Sequence, residues 1–176
     1  MEVIIMGNII TCKSLHNANS DIVMSNRLTD AFLNVLIIAG SRLAKTEEQK
    51  RLIVWLAEKD QTASGEGNVG FDIAEMPWNT DTFQKDKAFM LKTIRHALNK
   101  KHWDKLGYEP NEKNIFPRLE QFAELIEAFE ADDIKQEKLI KWLEDSDKDD
   151  PINNGFPVCP RHDALLSCFG CQICRN

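Results

Sequence analysis

The sequence lacks the features that define three large classes of protein. Acidic residues outnumber basic ones by 28 to 22, so the chain lacks the positive charge with which nucleic-acid-binding proteins attract phosphate. Its most apolar run, residues 31–40, is about half as long as a helix that crosses a bilayer. The first ten residues carry Glu2 where an export signal has basic residues. We therefore expect a cytoplasmic protein that does not enter a membrane.

Sequence motifs of common enzymes are missing or incomplete. The chain contains no G-x-S-x-G motif, which marks the nucleophile of many hydrolases. Residues 65–70, GEGNVG, have the letters of a dinucleotide-binding loop, but a predicted helix precedes them and an extended segment follows. Residues 145–150 begin like a calcium loop, but Asp150 and Phe156 stand where that loop needs glycine and glutamate. These absences weigh against an enzyme.

Helical spacing of apolar residues dominates the middle of the chain. A hydrophobic content of 43 % is enough to build one buried core. Asn26 is a candidate N-cap for the first helix, and Thr46 with Gln49 forms a capping-box pattern for the second. The sequence predicts a mainly α, compact five-helix domain. The three later helices are expected to open at Asp81, to be capped at Asn114 or a neighbour, and to span residues 134–144.

Changes in composition divide the chain into four predicted parts. These are a loosely patterned N-terminal extension over 1–25, a helical domain over 26–145, an acidic linker over 146–156 and a metal-binding tail over 157–176. The N-terminal part has room for a short strand at 2–6. One hypothesis is that residues 1–23 form a peripheral extension of a protein whose natural start is Met24.

An α/β fold is the alternative interpretation of the first half. Residues 34–46 followed by 71–78 resemble the opening of flavodoxin-like flavin reductases, in which a strand leads through a Gly-Ser phosphate loop into a helix. The resemblance implies a doubly wound parallel sheet, which needs several further strands. Because the pattern after Trp78 is helical, we prefer the mainly α fold and interpret Gly40 and Ser41 as a helix interruption.

The C-terminal tail contains four of the five cysteines within residues 159–174. Cys159 and His162 are separated by two residues, and so are Cys171 and Cys174. Two such pairs, each in a tight turn, are the usual source of the four donors that zinc prefers. Pro160 and the glycine before Cys171 favour these turns, and a reducing compartment favours metal over disulfide.

This tail resembles the zinc-ribbon and zinc-knuckle families, whose paired turns have the form CPxC or CPxH and GCxxC. The resemblance covers sixteen residues. It implies that Cys159, His162, Cys171 and Cys174 bind zinc in a short hairpin. Since four donors are available locally, we expect a closed, structural site rather than a catalytic one with an open position.

Cys168 leaves the ligand set open. It is an alternative ligand that could act together with Cys171. It also completes a C-x₂-C-x₂-C run with Cys171 and Cys174, which resembles part of a ferredoxin-type iron–sulfur motif and would need Cys159 as its fourth thiolate. A disulfide, or no metal, is the third interpretation.

The expected function is that of a non-enzymatic, cytosolic protein-binding protein with a structural zinc site. It would act as an adaptor, a regulator or an immunity-type inhibitor, and its acidic body would meet a basic partner. Trp78 is the candidate partner contact or cleft plug. The alternative is a nucleic-acid-binding regulator acting through the zinc tail, which offers only Arg161 and Arg175 for phosphate. An uncharacterised enzyme is the third interpretation.

Overall fold

The computed structural model describes residues 8–15, 21–59 and 70–175. Within these ranges the chain forms five α-helices and three short strands. The helices are α1 (Asn26–Leu43), α2 (Glu47–Ala57), α3 (Phe83–Leu98), α4 (Glu112–Ala128) and α5 (Gln136–Asp145). The strands are β1 (Asn8–Thr11), β2 (Ile22–Met24) and β3 (Phe71–Asp72). Short 3₁₀ turns, among them Ile73–Glu75, Trp103–Lys105 and Pro151–Asn153, link these elements.

Helix α1 is the centre of the molecule. It packs against α2, α3 and α4, and every residue from Phe32 to Gly40 is buried. Its N-cap is Ser25, whose hydroxyl accepts a hydrogen bond from the Leu28 N–H, so the predicted cap at Asn26 was one residue too late. The helix runs through Gly40 and Ser41 without interruption. A Cβ at Gly40 would lie 2.8 Å from Ile53 Cγ1 and 3.2 Å from Thr93 Cγ2, so this glycine allows three helices to approach closely.

The fold is mainly α, as the helical periodicity predicted. The α/β alternative is wrong, because the segment assigned to its first strand and phosphate loop lies inside α1. Only a small sheet is present in the described ranges, with strand order β2-β1-β3. No helix of the described residues has both the length and the hydropathy needed to cross a membrane.

The described part of the N-terminal segment belongs to the core. Strand β1 pairs antiparallel with β2, with Ile10 opposite Ile22, and parallel with β3, with Ile10 opposite Phe71. Ile10 and Ile22 are buried to 2 % and 0 % exposure. Strands β1 and β2 therefore do not form the peripheral extension hypothesised for residues 1–23. Their inward-facing side chains complete the hydrophobic core. The strand expected at 2–6 lies outside the described residues.

One predicted helix boundary is confirmed, and two others are shifted along the chain. The capping box of Thr46 and Gln49 is present at the start of α2. Helix α4 begins earlier than expected, with Asn111 as its N-cap, so Pro117 lies in the helix interior instead of its first turn. Helix α3 begins at Phe83 after a 3₁₀ turn and ends at Leu98.

The acidic segment expected to be a linker is packed onto the helical body. Ile152 and Phe156 are both 8 % exposed and belong to the core. The Lys50 ammonium lies 5.8 Å from the centre of the Phe156 ring. Asn153 and Asn154 donate to backbone carbonyls of residues 147, 148 and 150 and so fix the turn. The segment is therefore packed against the helical body and has its own fixed turn.

Candidate metal centre

The four predicted ligands converge at one point, which we call the C-terminal metal cluster: Cys159, His162, Cys171 and Cys174. Their donor atoms all lie within 4.8 Å of one another. His162 Nδ1 is 3.7 Å from both Cys159 Sγ and Cys171 Sγ, and 3.3 Å from Cys174 Sγ. Cys159 Sγ and Cys174 Sγ are 3.6 Å apart. This set of three sulfurs and one imidazole nitrogen could hold a metal ion.

Each donor pair, Cys159 with His162 and Cys171 with Cys174, lies in a turn that directs backbone N–H groups at its first sulfur. The N–H groups of Arg161 and His162 donate to the Cys159 sulfur. Those of Ile173 and Cys174 donate to the Cys171 sulfur, the latter at 3.4 Å. Such donors stabilise a thiolate and orient its remaining lone pairs toward a metal. The two turns therefore have the same local geometry, although their sequences differ.

These contacts shift the two thiols in opposite directions. Burial alone raises the pKa of Cys159, but the N–H donors of Arg161 and His162 outweigh it and lower this pKa to about 6. Burial, together with the neighbouring sulfurs of Cys159 and Cys174, raises the pKa of Cys171 to about 11. In the metal-free cluster the thiolate is therefore favoured at Cys159 over Cys171.

The cluster is enclosed on one side and reached by solvent on the other. Cys159, His162 and Cys171 are at most 9 % exposed, whereas Cys174 is exposed. A shallow cavity of about 330 Å³ runs along the Cys174 side and includes Lys105 and Arg161 in its walls. The cavity therefore gives solvent access to the Cys174 side of the cluster.

The tail is attached to the end of α1 by contacts that the sequence did not predict. The backbone N–H of Leu165 donates to Ser41 Oγ at 2.9 Å. The Arg42 guanidinium lies 3.4 Å from Asp163 Oδ2. Asp163 has a positive φ of 55°, which lets the turn after His162 close through a hydrogen bond from its N–H to the Cys159 carbonyl. Ser41 and Arg42 thus position the first metal-binding turn.

Cys168 lies apart from the C-terminal metal cluster. Its thiol faces Glu58 Oε1 at 3.8 Å, and it forms a separate group with Glu58 and Asp150. The alternative ligand set with Cys168 and the iron–sulfur set built on it do not match this placement. Partial burial of its sulfur and the negative charges of Glu58 and Asp150 raise the pKa of Cys168 to about 11, although the residue as a whole is exposed.

Trp78 is not available as a partner contact. Its side chain is 1 % exposed and its indole N–H donates to the Ile73 carbonyl at 2.9 Å. The ring stacks on Phe129 with 5.8 Å between centroids and meets Phe83 edge to face. The loop sequence made Trp78 a candidate cleft plug or partner contact, but Phe129, the residue after α4, packs on its ring, a contact between residues far apart in the chain.

Comparison with protein-family models, with curated proteins and with solved structures finds no match for this chain. The functional argument consequently depends on the geometry of the described residues.

Proposed function

We propose that the protein is a non-enzymatic, cytosolic protein-binding protein whose C-terminal tail is folded by a structural zinc ion. The observation that carries the zinc assignment is the spacing of the four donors. For tetrahedral zinc with Zn–S of about 2.3 Å and Zn–N of about 2.05 Å, S···S edges are about 3.8 Å and S···N edges about 3.6 Å. The S···S distance of 3.6 Å and the S···N distances of 3.3 to 3.7 Å agree with these edges.

The donor chemistry supports zinc over the other sequence-based interpretations. A disulfide needs sulfurs about 2.05 Å apart, far closer than the 3.6 Å between Cys159 and Cys174. An iron–sulfur cluster uses four thiolates in the usual case, whereas His162 occupies the fourth position here. Four protein donors around one point favour a closed site, which contributes folding free energy and performs no reaction.

Metal analysis of the purified protein under reducing conditions tests the assignment. We expect one zinc per chain in the wild type, and its loss in Cys171→Ser, because that change removes one of the four donors. Cys12→Ser is the matched control, since Cys12 is also buried but lies outside the cluster. A wild-type protein without zinc, or zinc retained in Cys171→Ser, would contradict the proposal.

The protein-binding part of the proposal is supported by an acidic face on α4 and the turn after it. Residues 119–134 contain six acidic and no basic residues. We define the acidic face as its five exposed members: Glu120, Glu124, Glu127, Glu130 and Asp132. The first three are spaced at i, i+4 and i+7 and therefore lie on one side of the helix.

The carboxylates of the acidic face do not stabilise α4. Carboxylates near a helix C-terminus oppose the macrodipole and cost about 0.3–1 kcal/mol each. Lys87 offsets part of this cost, because its ammonium donates to the carbonyls of Glu127 and Phe129 at 2.6 and 2.9 Å. A basic partner would complement the remaining carboxylates. We therefore propose that the acidic face binds a partner protein that has a basic surface.

A double charge reversal separates binding from folding. Glu124→Lys with Glu127→Lys should abolish retention of a basic partner from cell lysate at physiological salt, while leaving the helix at least as stable. Asp104→Lys with Glu109→Lys is the matched control, since both residues are exposed, lie outside the acidic face and change the net charge equally. Retention of the same partner by both double variants would contradict the assignment.

The tail's own contacts argue against nucleic acid as the ligand. The Arg175 guanidinium donates to the carbonyl of Phe169 and, at 2.6 Å, to Gln172 Oε1, so it is engaged within the tail. Arg161 is the other basic residue of the tail, and the acidic residue Asp163 follows it two positions later. No further Lys or Arg falls within residues 157–175. We expect no mobility shift with single- or double-stranded nucleic acid even at low salt, and a clear shift would contradict this.

A further inference from the structure

A second group of metal-ligating side chains lies outside the C-terminal metal cluster. Glu58 follows the last residue of α2, Asp150 precedes the 3₁₀ turn Pro151–Asn153, and Cys168 lies in the tail. Their donor atoms all lie within 4.8 Å of one another. None of the three belongs to the C-terminal metal cluster, so the two groups share no ligand. We call this group the Glu-Asp-Cys cluster.

Each carboxylate is held by a hydrogen bond on one of its oxygens. The Trp142 indole N–H donates to Glu58 Oε2 at 2.7 Å. The Ile152 N–H donates to Asp150 Oδ1 at 3.1 Å. Oε1, the other oxygen of Glu58, faces the Cys168 thiol at 3.8 Å. Metal-binding carboxylates are commonly oriented in this way by a hydrogen bond from outside the coordination sphere.

No ion pair compensates the charges of the cluster within the described residues. Asp150 is only 8 % exposed, and neither it nor Glu58 has a Lys, Arg or His nitrogen within 4.0 Å in those ranges. A buried carboxylate without a counter-ion is costly. Consistent with this cost, burial and the charge of Asp150 raise the pKa of Glu58 and outweigh the hydrogen bond from Trp142 and the attraction of Lys59. A cation at the centre would remove the repulsion.

We propose that Glu58, Asp150 and Cys168 form a second cation site, which takes a divalent ion of the zinc or cobalt type. The mixed donor set selects the class of ion. Magnesium and calcium prefer oxygen donors only, and copper(I) prefers sulfur, whereas zinc and cobalt(II) accept thiolate and carboxylate together. Three protein donors leave at least one position for water, so this site is more open than the C-terminal one. The ion would tie the end of α2 to the tail.

Cobalt(II) added to the zinc-loaded full-length protein tests the site, since a Co–thiolate bond gives charge-transfer absorption. We expect one further metal per chain with this absorption, while the zinc content stays at one per chain. Cys168→Ser should abolish the absorption, and Asp150→Asn should weaken cobalt binding at least about tenfold. We expect both variants to keep the fold, because Cys168 is exposed and the amide introduced in Asp150→Asn retains an oxygen that accepts the Ile152 N–H.

Two controls assign the signal. Asp149→Asn changes an exposed neighbouring carboxylate and Cys12→Ser removes a distant thiol, so both should bind cobalt like the wild type. Absence of a second metal in the wild type would overturn the proposal. Protonation of Glu58 would then be what relieves the repulsion between the two carboxylates. Charge-transfer absorption that persists in Cys168→Ser would overturn it as well. Neither result bears on the zinc assignment, which Cys171→Ser tests separately.

Discussion

Asp86 is the residue whose environment makes the sharpest prediction about pH. It is 2 % exposed, and its only described side-chain partner is the Thr82 hydroxyl, which donates to Oδ2 at 2.7 Å. Burial raises its pKa from 3.8 to about 6. The folded state therefore holds the proton more tightly than the unfolded chain does. This contribution to stability is fully present below pH 3.8 and is lost as the pH rises through about 6.

Asp86→Asn is expected to stabilise the protein above pH 6. The amide carries no charge to bury and its oxygen still accepts the Thr82 hydroxyl, so the free energy of unfolding at pH 8 should rise by about 3 kcal/mol. The gain should disappear near pH 4, where the wild-type carboxyl is protonated. Denaturant unfolding at several pH values measures this difference. Asp81→Asn, at an exposed position, is the control, and a gain of equal size there would contradict the burial argument.

Gly40 allows a second prediction at the residue scale. Gly40→Ala should lower the free energy of unfolding by about 1–2 kcal/mol, although alanine favours a helix by about 1 kcal/mol, because its Cβ would press on Ile53. Ile53→Val removes the terminal methyl carbon that the Cβ would meet most closely. The double variant should therefore be more stable than the two single effects predict when added. Simple additivity in urea unfolding would show that the close packing at Gly40 does not limit this position.

Among the elements, α4 contains a proline that weakens it. Pro117 is the sixth residue of the helix, so its missing N–H would otherwise bond to the carbonyl of Lys113. Its side chain is exposed and does not belong to the buried core. Pro117→Ala should raise the free energy of unfolding by about 1–3 kcal/mol and raise the helical circular dichroism signal. A loss of stability would mean that the proline ring has a packing role that its exposure does not reveal.

The helical elements were also the part of the fold that sequence reasoning predicted best. Their signals are local, because an apolar stripe and a cap such as Thr46 with Gln49 both lie within a few turns of one helix. The strands were harder. Strand β1 has four residues and β3 has two, too few for an alternating pattern to be distinctive, and their pairing joins residues 10 and 71. The N-terminal segment therefore looked peripheral, although its described strands β1 and β2 are part of the core.

For the whole molecule, the tail and the helical body should unfold together. Ala164, Leu165 and Ile173 are at most 3 % exposed and belong to the same core as α1. Zinc, in the proposed assignment, holds these residues in place from the turns beside them. Removing it with a chelator should lower the melting temperature of the whole protein, measured from the helical circular dichroism signal of the body. Release of the tail with an unchanged melting temperature would instead make the tail an independent module.

As for the fold, sequence reasoning predicted the local features of the candidate site and missed its contacts between distant residues. The convergence of the four donors of the C-terminal metal cluster could be predicted because all four lie within sixteen residues and each pair lies in one turn. The contacts of Ser41 and Arg42 with the tail gave no sequence signal, because they join positions more than 120 residues apart. The same reason explains Trp78, whose burial depends on Phe129.

By itself the sequence determined the mainly α class, the capping of the second helix and the four-donor set of the tail. Each of these depends on residues that are close along the chain, where backbone geometry alone fixes which side chains meet. The tertiary structure decided that the N-terminal strands and Trp78 are buried and that Cys168 lies beside Glu58, 110 residues away, instead of joining the other cysteines. Such contacts depend on how helices pack, and no local spacing specifies that.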